Sequence, residues 1–147
     1  RYHVGLGMPG HETTLGKYTI GNKQKDPTWF KPVAGAIGSG DAANELGTRW
    51  MPLVPSVTNL PTDLGIHGTI HPETIGSFSS HGCARMHNGE VEELYDLIVR
   101  STPVYIVDKY DPKTGTTPIT DGPPTGTPAL ETSPAPASNG PVTTSAT

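Results

Sequence analysis

The chain has 147 residues, 33% of them hydrophobic, with 18 glycines, 16 prolines and a net charge of −4. That length holds one domain and a tail, and the glycine and proline content points to many turns or an unstructured segment. Scattered Lys and Arg exclude the basic patch that nucleic acid or an anionic membrane surface would need, and no apolar run approaches the roughly 20 residues that span a bilayer.

In chain order, Tyr2-His3-Val4-Gly5-Leu6 and Lys17-Tyr18-Thr19-Ile20 alternate as half-buried strands do. Met8-Pro9-Gly10 and Gly21-Asn22 punctuate them as turns. Trp50-Met51-Pro52-Leu53-Val54 is a third strand, which Pro52 assigns to an edge or a bulge. Leu64-Gly65-Ile66-His67 and Val104-Tyr105-Ile106-Val107 complete the set.

Between the last two lies the one clear helix. Asn88 is the expected N-cap, and Glu90, Glu92 and Glu93 crowd the first turns, where the dipole favours negative charge. Val91, Leu94, Tyr95 and Ile98 share a face, Arg100 sits at the C-terminal end, and Pro103 stops the helix. From Lys109 onward the chain holds half of its prolines and few large apolar residues. Such a segment cannot bury enough surface to offset the entropy of ordering it, so residues 109–147 read as a disordered tail or linker. No internal repeat is present. The expected class is mainly β, a mixed β-sandwich with one principal helix.

The chemistry concentrates between Ile66 and Met86, IHGTIHPETIGSFSSHGCARM, which holds the only cysteine and three of the six histidines. Arg85 and the nearby helix N-terminus are both expected to stabilise a Cys83 thiolate, the nucleophilic form. His67, at a strand end, is the candidate base, and the loop to Cys83 is long enough to fold back. Backbone amides around His81-Gly82-Cys83 could form an oxyanion hole, with Gly82 permitting an unusual turn. These residues alone point to a cysteine acyltransferase.

Three other readings compete. A lone cysteine is commonly an inert buried hydrophobe. His67, His71, His81, Cys83 and His87 offer zinc-type ligands, but Gly68 and Pro72 argue against the helix that would bring His67 and His71 together. The third is a binding module that keeps Cys83 and His67 without turnover. Trp29, Phe30 and Trp50 form an aromatic group for which core packing is expected for at least two. His3, His11 and His87 carry no assigned role.

The stretch His67-Gly68-Thr69, then Ser80-His81-Gly82-Cys83-Ala84-Arg85-Met86 some sixteen residues on, resembles the signature of the L,D-transpeptidase catalytic domain, also called the YkuD domain. The resemblance extends through Gly7-Met8-Pro9-Gly10-His11-Glu12-Thr13, Asp26-Pro27-Thr28-Trp29-Phe30 and Gly47-Thr48-Arg49-Trp50, and so over residues 1–108. It implies Cys83 as nucleophile, His67 as general base and acid, and the Gly68 carbonyl as the group orienting His67. Ser80, His81 and Gly82 would shape the loop and supply oxyanion amides, and Arg85 would buttress the loop or meet a substrate carboxylate.

The implied function is peptidoglycan cross-linking through a cysteine thioester. The donor is a tetrapeptide stem, the acceptor an amine, the product a 3→3 cross-link. No metal or cofactor is implied, and a carbapenem is the implied covalent inhibitor. The site of action would be extracytoplasmic, in periplasm or wall. A chain opening at Arg1 reads as a fragment or processed product, so the missing signal sequence does not argue for the cytoplasm. Two departures from the family pattern stand out: it places a strand or two before Tyr2, and it has a larger aliphatic side chain where this chain has Ala84.

Overall fold

The computed structural model describes residues 1–31 and 33–109. The expected tail therefore lies outside the described residues, except for Lys109. The described residues form ten strands: β1 (Leu6–Gly7), β2 (Gly16–Ile20), β3 (Gln24–Lys25), β4 (Trp29–Lys31), β5 (Gly35–Ile37), β6 (Arg49–Pro55), β7 (Gly65–His67), β8 (Phe78–Ser80), β9 (Ala84–Arg85) and β10 (Pro103–Ile106). One α-helix, α1 (Asn88–Leu97), follows β9, and a short 3-10 turn covers Pro72–Thr74. The mainly β class with one principal helix is what the sequence led us to expect.

The main sheet runs β10-β2-β6-β7-β9, with β3 also pairing β6. Its pairs are antiparallel except β7 with β9. Beyond β9, Gly5 and Arg85 exchange two backbone hydrogen bonds of 2.9 and 2.8 Å. This bridge joins the sheet to the parallel pair β1–β8, so the layer curls around the end of β9.

Of the two readings from Pro52, an edge or a bulge, the edge is overturned: β6 is interior. Its pairing passes from β2 (Ile20 opposite Leu53) to β3 (Gln24 opposite Trp50), and Pro52 lies at the changeover. The ring nitrogen, which has no proton, faces the β2–β3 side and is tolerated because no continuous ladder runs past it there; the pairing with β7 is unbroken. The Pro52 carbonyl still accepts from Gly21 N–H at 2.8 Å.

Along β6, Met51 and Leu53 point into the core with Tyr18, Ile20, Leu64, Met86 and Val91. Met51 and Val91 are fully buried, and α1 packs on β6 and β7 through that face. Each such side chain contributes about 1.5–3 kcal/mol of burial. Tyr2 and Val4 pack against this core although only Leu6–Gly7 of their segment is strand.

The helix is shorter than its apolar pattern suggests. Ile98 is already extended (φ −110°, ψ 151°), and Thr102 closes the following turn with hydrogen bonds to Val99. Arg100 lies past the helix, and Lys23 serves its end instead, donating to the Tyr95 and Ile98 carbonyls. That is a cation on the negative end of the dipole. At the other end His87, not Asn88, is the N-cap residue, and no side chain caps the helix there.

β4 and β5 form a hairpin outside the main sheet. Buried Asn44 ties its base, donating to the carbonyls of Pro27 (2.8 Å) and Gly38 (3.0 Å). The aromatic group does not form a core. Phe30 is 76% exposed, Trp29 is covered on one side by the Lys31 ammonium, and Trp50 lies outside the core cluster. Among the described residues, no helix is long and apolar enough to cross a membrane.

Candidate active site

The parallel register of β7 and β9 sets Ile66 opposite Ala84 and His67 opposite Arg85. Extending it by one residue puts Cys83, which immediately precedes β9, level with Gly65. Paired residues on neighbouring strands share a face, so Gly65, His67, Cys83 and Arg85 project away from the core. The sixteen residues between β7 and β9, which the sequence left unshaped, are folded by β8 and its pairing with β1.

His67 is 5% exposed. Its Nδ1 lies 2.6 Å from the Gly68 carbonyl oxygen. A carbonyl only accepts, so Nδ1 carries the proton and Nε2 holds the free lone pair. Burial pushes the imidazole pKa down to about 4, opposed by the Gly68 hydrogen bond and reinforced by the Arg85 charge. At neutral pH the ring is an uncharged base.

Cys83 is half-buried and unpaired. Its Sγ lies 3.7 Å from the Asp63 carbonyl oxygen, and no hydrogen bond joins it to His67. Burial raises the thiol pKa above its ordinary value; Gly65 backbone hydrogen bonding and Arg85 pull it down, while the Asp63 charge pushes it up. The expected stabilisation of a thiolate is therefore corrected. Arg85 acts in the expected direction, but desolvation outweighs it. The resting pair is neutral thiol and neutral imidazole.

The turn before Cys83 is held from within. Ser80, 1% exposed, donates through Oγ to the Cys83 carbonyl at 2.7 Å and accepts from Gly82 N–H at 3.1 Å. Gly82 has φ +119°, where L side chains are strained. Its amide being engaged with Ser80, Gly82 shapes the turn. His81 stands exposed beside it, with its ring edge-on to His11 at 5.1 Å. Arg85 is 8% exposed, reaches Glu45 at 3.6 Å, and keeps a buried Nε without a partner.

Two neighbours were not assigned to the site from the sequence. The Trp50 ring centroid is 5.8 Å from that of His67, and the indole covers Gly65 so closely that a Cβ there would come within 2.3 Å of it. Asn88 directs its amide at the segment after His67, donating to the Thr69 carbonyl and accepting from Thr69 N–H, both at 3.0 Å. For Trp50 the signal available was its strand position; for Asn88 there was none beyond its place near the helix start. His71 pairs with Glu73 at 3.3 Å, away from His67. Among the described residues no three His, Cys, Asp or Glu side chains converge as a metal site.

The family model of the L,D-transpeptidase catalytic domain matches residues 1–106. The chain belongs to this family. It is 36% identical over 107 residues to the putative L,D-transpeptidase YqjB of Bacillus subtilis, an alignment covering 73% of this chain and 58% of that protein. It is 31% identical over 116 residues to the probable L,D-transpeptidase ErfK/SrfK of Salmonella typhimurium, covering 72% and 36% respectively.

Among solved structures it is similar to the catalytic domain of an E. faecium L,D-transpeptidase acylated by ertapenem. That match has a TM-score of 0.52 and 26% identity, covering 72% of this chain and 78% of that one. An L,D-transpeptidase from Mycobacterium tuberculosis shares the fold at a TM-score of 0.54 and 17% identity, with coverages of 71% and 41%. The chain spans little more than half the length of the first relative and about a third of the second.

Proposed function

We propose that this domain is a peptidoglycan L,D-transpeptidase that works through a Cys83 thioester. The observation that carries the reading is one face of β7 and β9. There His67, its Nδ1 fixed on Gly68 and its Nε2 basic, shares a side with Cys83 at the head of β9.

In the first step Nε2 of His67 takes the Sγ–H proton as Sγ bonds to the carbonyl carbon between the third stem residue and the terminal D-alanine. The carbon–nitrogen bond breaks and the proton passes from Nε2 to the departing amine. In the second step the amine of another stem attacks the thioester, yields its proton to His67 and restores the thiol as the carbon–sulfur bond breaks. The product is a 3→3 cross-link. A neutral thiol–imidazole pair suits this sequence because the proton moves as the bond forms.

The backbone amide of Cys83 and its neighbours in the turn would receive the developing oxyanion. Ser80 and Gly82 hold that turn in shape, and His81 borders it. Arg85, buried and paired with Glu45, would buttress the loop or meet a substrate carboxylate. Gly65, level with Cys83 and covered by the Trp50 indole, would line the site beside the thiol. No cofactor takes part in these steps. A peptidoglycan substrate sets the working location outside the cytoplasmic membrane.

Intact-protein mass spectrometry after incubation with a carbapenem tests the reading, because the related E. faecium domain is acylated by ertapenem. The native chain should gain one adduct that is absent from Cys83→Ala. A folded native chain that never gains an adduct would instead mark a domain that binds wall peptides without turnover.

A further inference from the structure

The Gly68 carbonyl and the Thr69 amide belong to one peptide unit, which is planar and rotates as a body. Its oxygen faces His67 Nδ1 at 2.6 Å. Its N–H donates to Asn88 Oδ1 at 3.0 Å. Whatever fixes the N–H end of that plane therefore fixes the oxygen end, and with it the imidazole.

Asn88 is built into this place. Besides Thr69 N–H, its Oδ1 accepts from Thr48 N–H at 3.4 Å, and its Nδ2 donates to the Thr69 carbonyl at 3.0 Å. A Cβ at Gly47 or at Gly68 would come within 2.3 or 2.1 Å of Asn88 Oδ1. The two glycines thus open the slot that the amide fills, and Gly47, with φ +64°, also needs its conformational freedom. The side chain satisfies none of α1's own amides, although it stands where such a cap was expected. Accepting a hydrogen bond at the N–H end also polarises the carbonyl at the other, which strengthens its hold on the Nδ1 proton.

We propose that Asn88 is a positioning residue for acyl transfer, acting through the Gly68–Thr69 peptide to keep His67 as the Nδ1–H tautomer with Nε2 free. The proposal rests on the reading of Cys83 and His67 as the reacting pair. The chain of contacts is imidazole, peptide, amide, anchored on the first turn of α1. In a serine hydrolase an aspartate orients the histidine directly; here a peptide and an asparagine share that task.

The test compares native chain, Asn88→Ala and Asn88→Asp. Two readouts are needed: the carbapenem acylation rate, and the side-chain ¹⁵N shifts of His67, which report which nitrogen holds the proton. Asn88→Ala should fold, acylate about tenfold to a hundredfold more slowly, as when an orienting partner behind a reacting group is removed, and show a mixture of tautomers. Asn88→Asp keeps an acceptor for Thr69 N–H, so it should keep the Nδ1–H tautomer and recover most of the rate.

Native acylation by folded Asn88→Ala overturns the proposal. So does a slowed variant whose His67 remains a single Nδ1–H tautomer, since that is the mark of a merely structural role. Should Asn88→Ala not fold, a folded Asn88→Asp that has lost the tautomer overturns it equally. Failure of the native chain to form any adduct would sink the acyl-transfer reading, while the tautomer comparison would still decide whether Asn88 governs His67.

Discussion

The two faces of the β6–β7–β9 region are made from the same strands and obey different rules. On one, Met51, Leu53, Leu64 and Met86 meet Val91 of α1 in a dry cluster. On the other, Trp50, Gly65, His67 and Arg85 lie on the side to which Cys83 projects. The core face needs volume and apolarity, and an isosteric side chain would serve. The site face has buried polar groups, each requiring a particular partner: His67 has Gly68, and Ser80 has Cys83 and Gly82. Arg85 Nε, like Arg49 Nε, is buried without a partner. The core face supplies the stability that lets the other hold an uncharged histidine and a constrained turn in fixed positions.

If the faces divide the work in this way, substitutions should separate activity from stability. The largest effect is expected from Cys83→Ala, which removes the nucleophile and so abolishes the carbapenem adduct. Its unfolding midpoint in urea should stay close to native, because the thiol is half-buried and its contact with the Asp63 carbonyl is long, at 3.7 Å. Met51→Ala should do the reverse. It opens a cavity at a fully buried position and should lower unfolding free energy by about 2–5 kcal/mol, while the folded fraction still acylates at the native rate per molecule. A Met51→Ala chain that is stable but unreactive would break the comparison.

His67 joins the two faces, since its burial is both a stability term and a catalytic one. Its folded pKa, about 4, lies below the ordinary 6.5. The folded state therefore binds fewer protons than the unfolded one between these values. The stability from this group is fully present above about pH 6.5 and is lost as pH falls toward 4, up to about 3 kcal/mol for a shift of this size. Thermal midpoints from pH 7 to 4.5 should fall more for the native chain than for His67→Gln, which cannot titrate. Acylation should be level from about pH 5 to 8 and climb only as the thiol, raised above its ordinary 9.0, begins to ionise. A rise centred near 6.5 would mean that His67 is solvated and the faces are not separated as described.

Much of this division could be read in the chain. The alternation in Lys17-Tyr18-Thr19-Ile20 and the apolar face of Val91 and Leu94 pointed to the core, and the spacing of His67 and Cys83 pointed to the candidate site. Short strands were not legible. β3, β8 and β9 have two or three residues each, with polar members, and exist only because partners pair with them. Pro52 pointed to an edge or a bulge, and the edge reading fails because the rule for prolines in sheets assumes an unbroken ladder, whereas β6 changes partner there. Asn88 looked like a cap because its type and place fit one; its tertiary partners lie nineteen and forty residues away. The thiol was misjudged because charge is visible in a sequence and burial is not.

The smallest effect expected concerns the seam between the faces. Gly65 is a strand residue with no side chain, and the Trp50 indole occupies the space a Cβ would take, at 2.3 Å. Gly65→Ala must push the ring aside, which overpacking arguments put at about 1–3 kcal/mol. Trp50 lies outside the core cluster and only partly buried, so it can swing toward solvent and the loss should fall at the lower end. The displaced indole would then leave the wall beside Cys83 and change its contact with His67. Acylation by a bulky carbapenem should therefore slow more than the reaction of Cys83 with a small alkylating reagent. Equal slowing of both would place the effect on the thiol itself. No slowing, with stability reduced by several kcal/mol, would assign Trp50 to the core face.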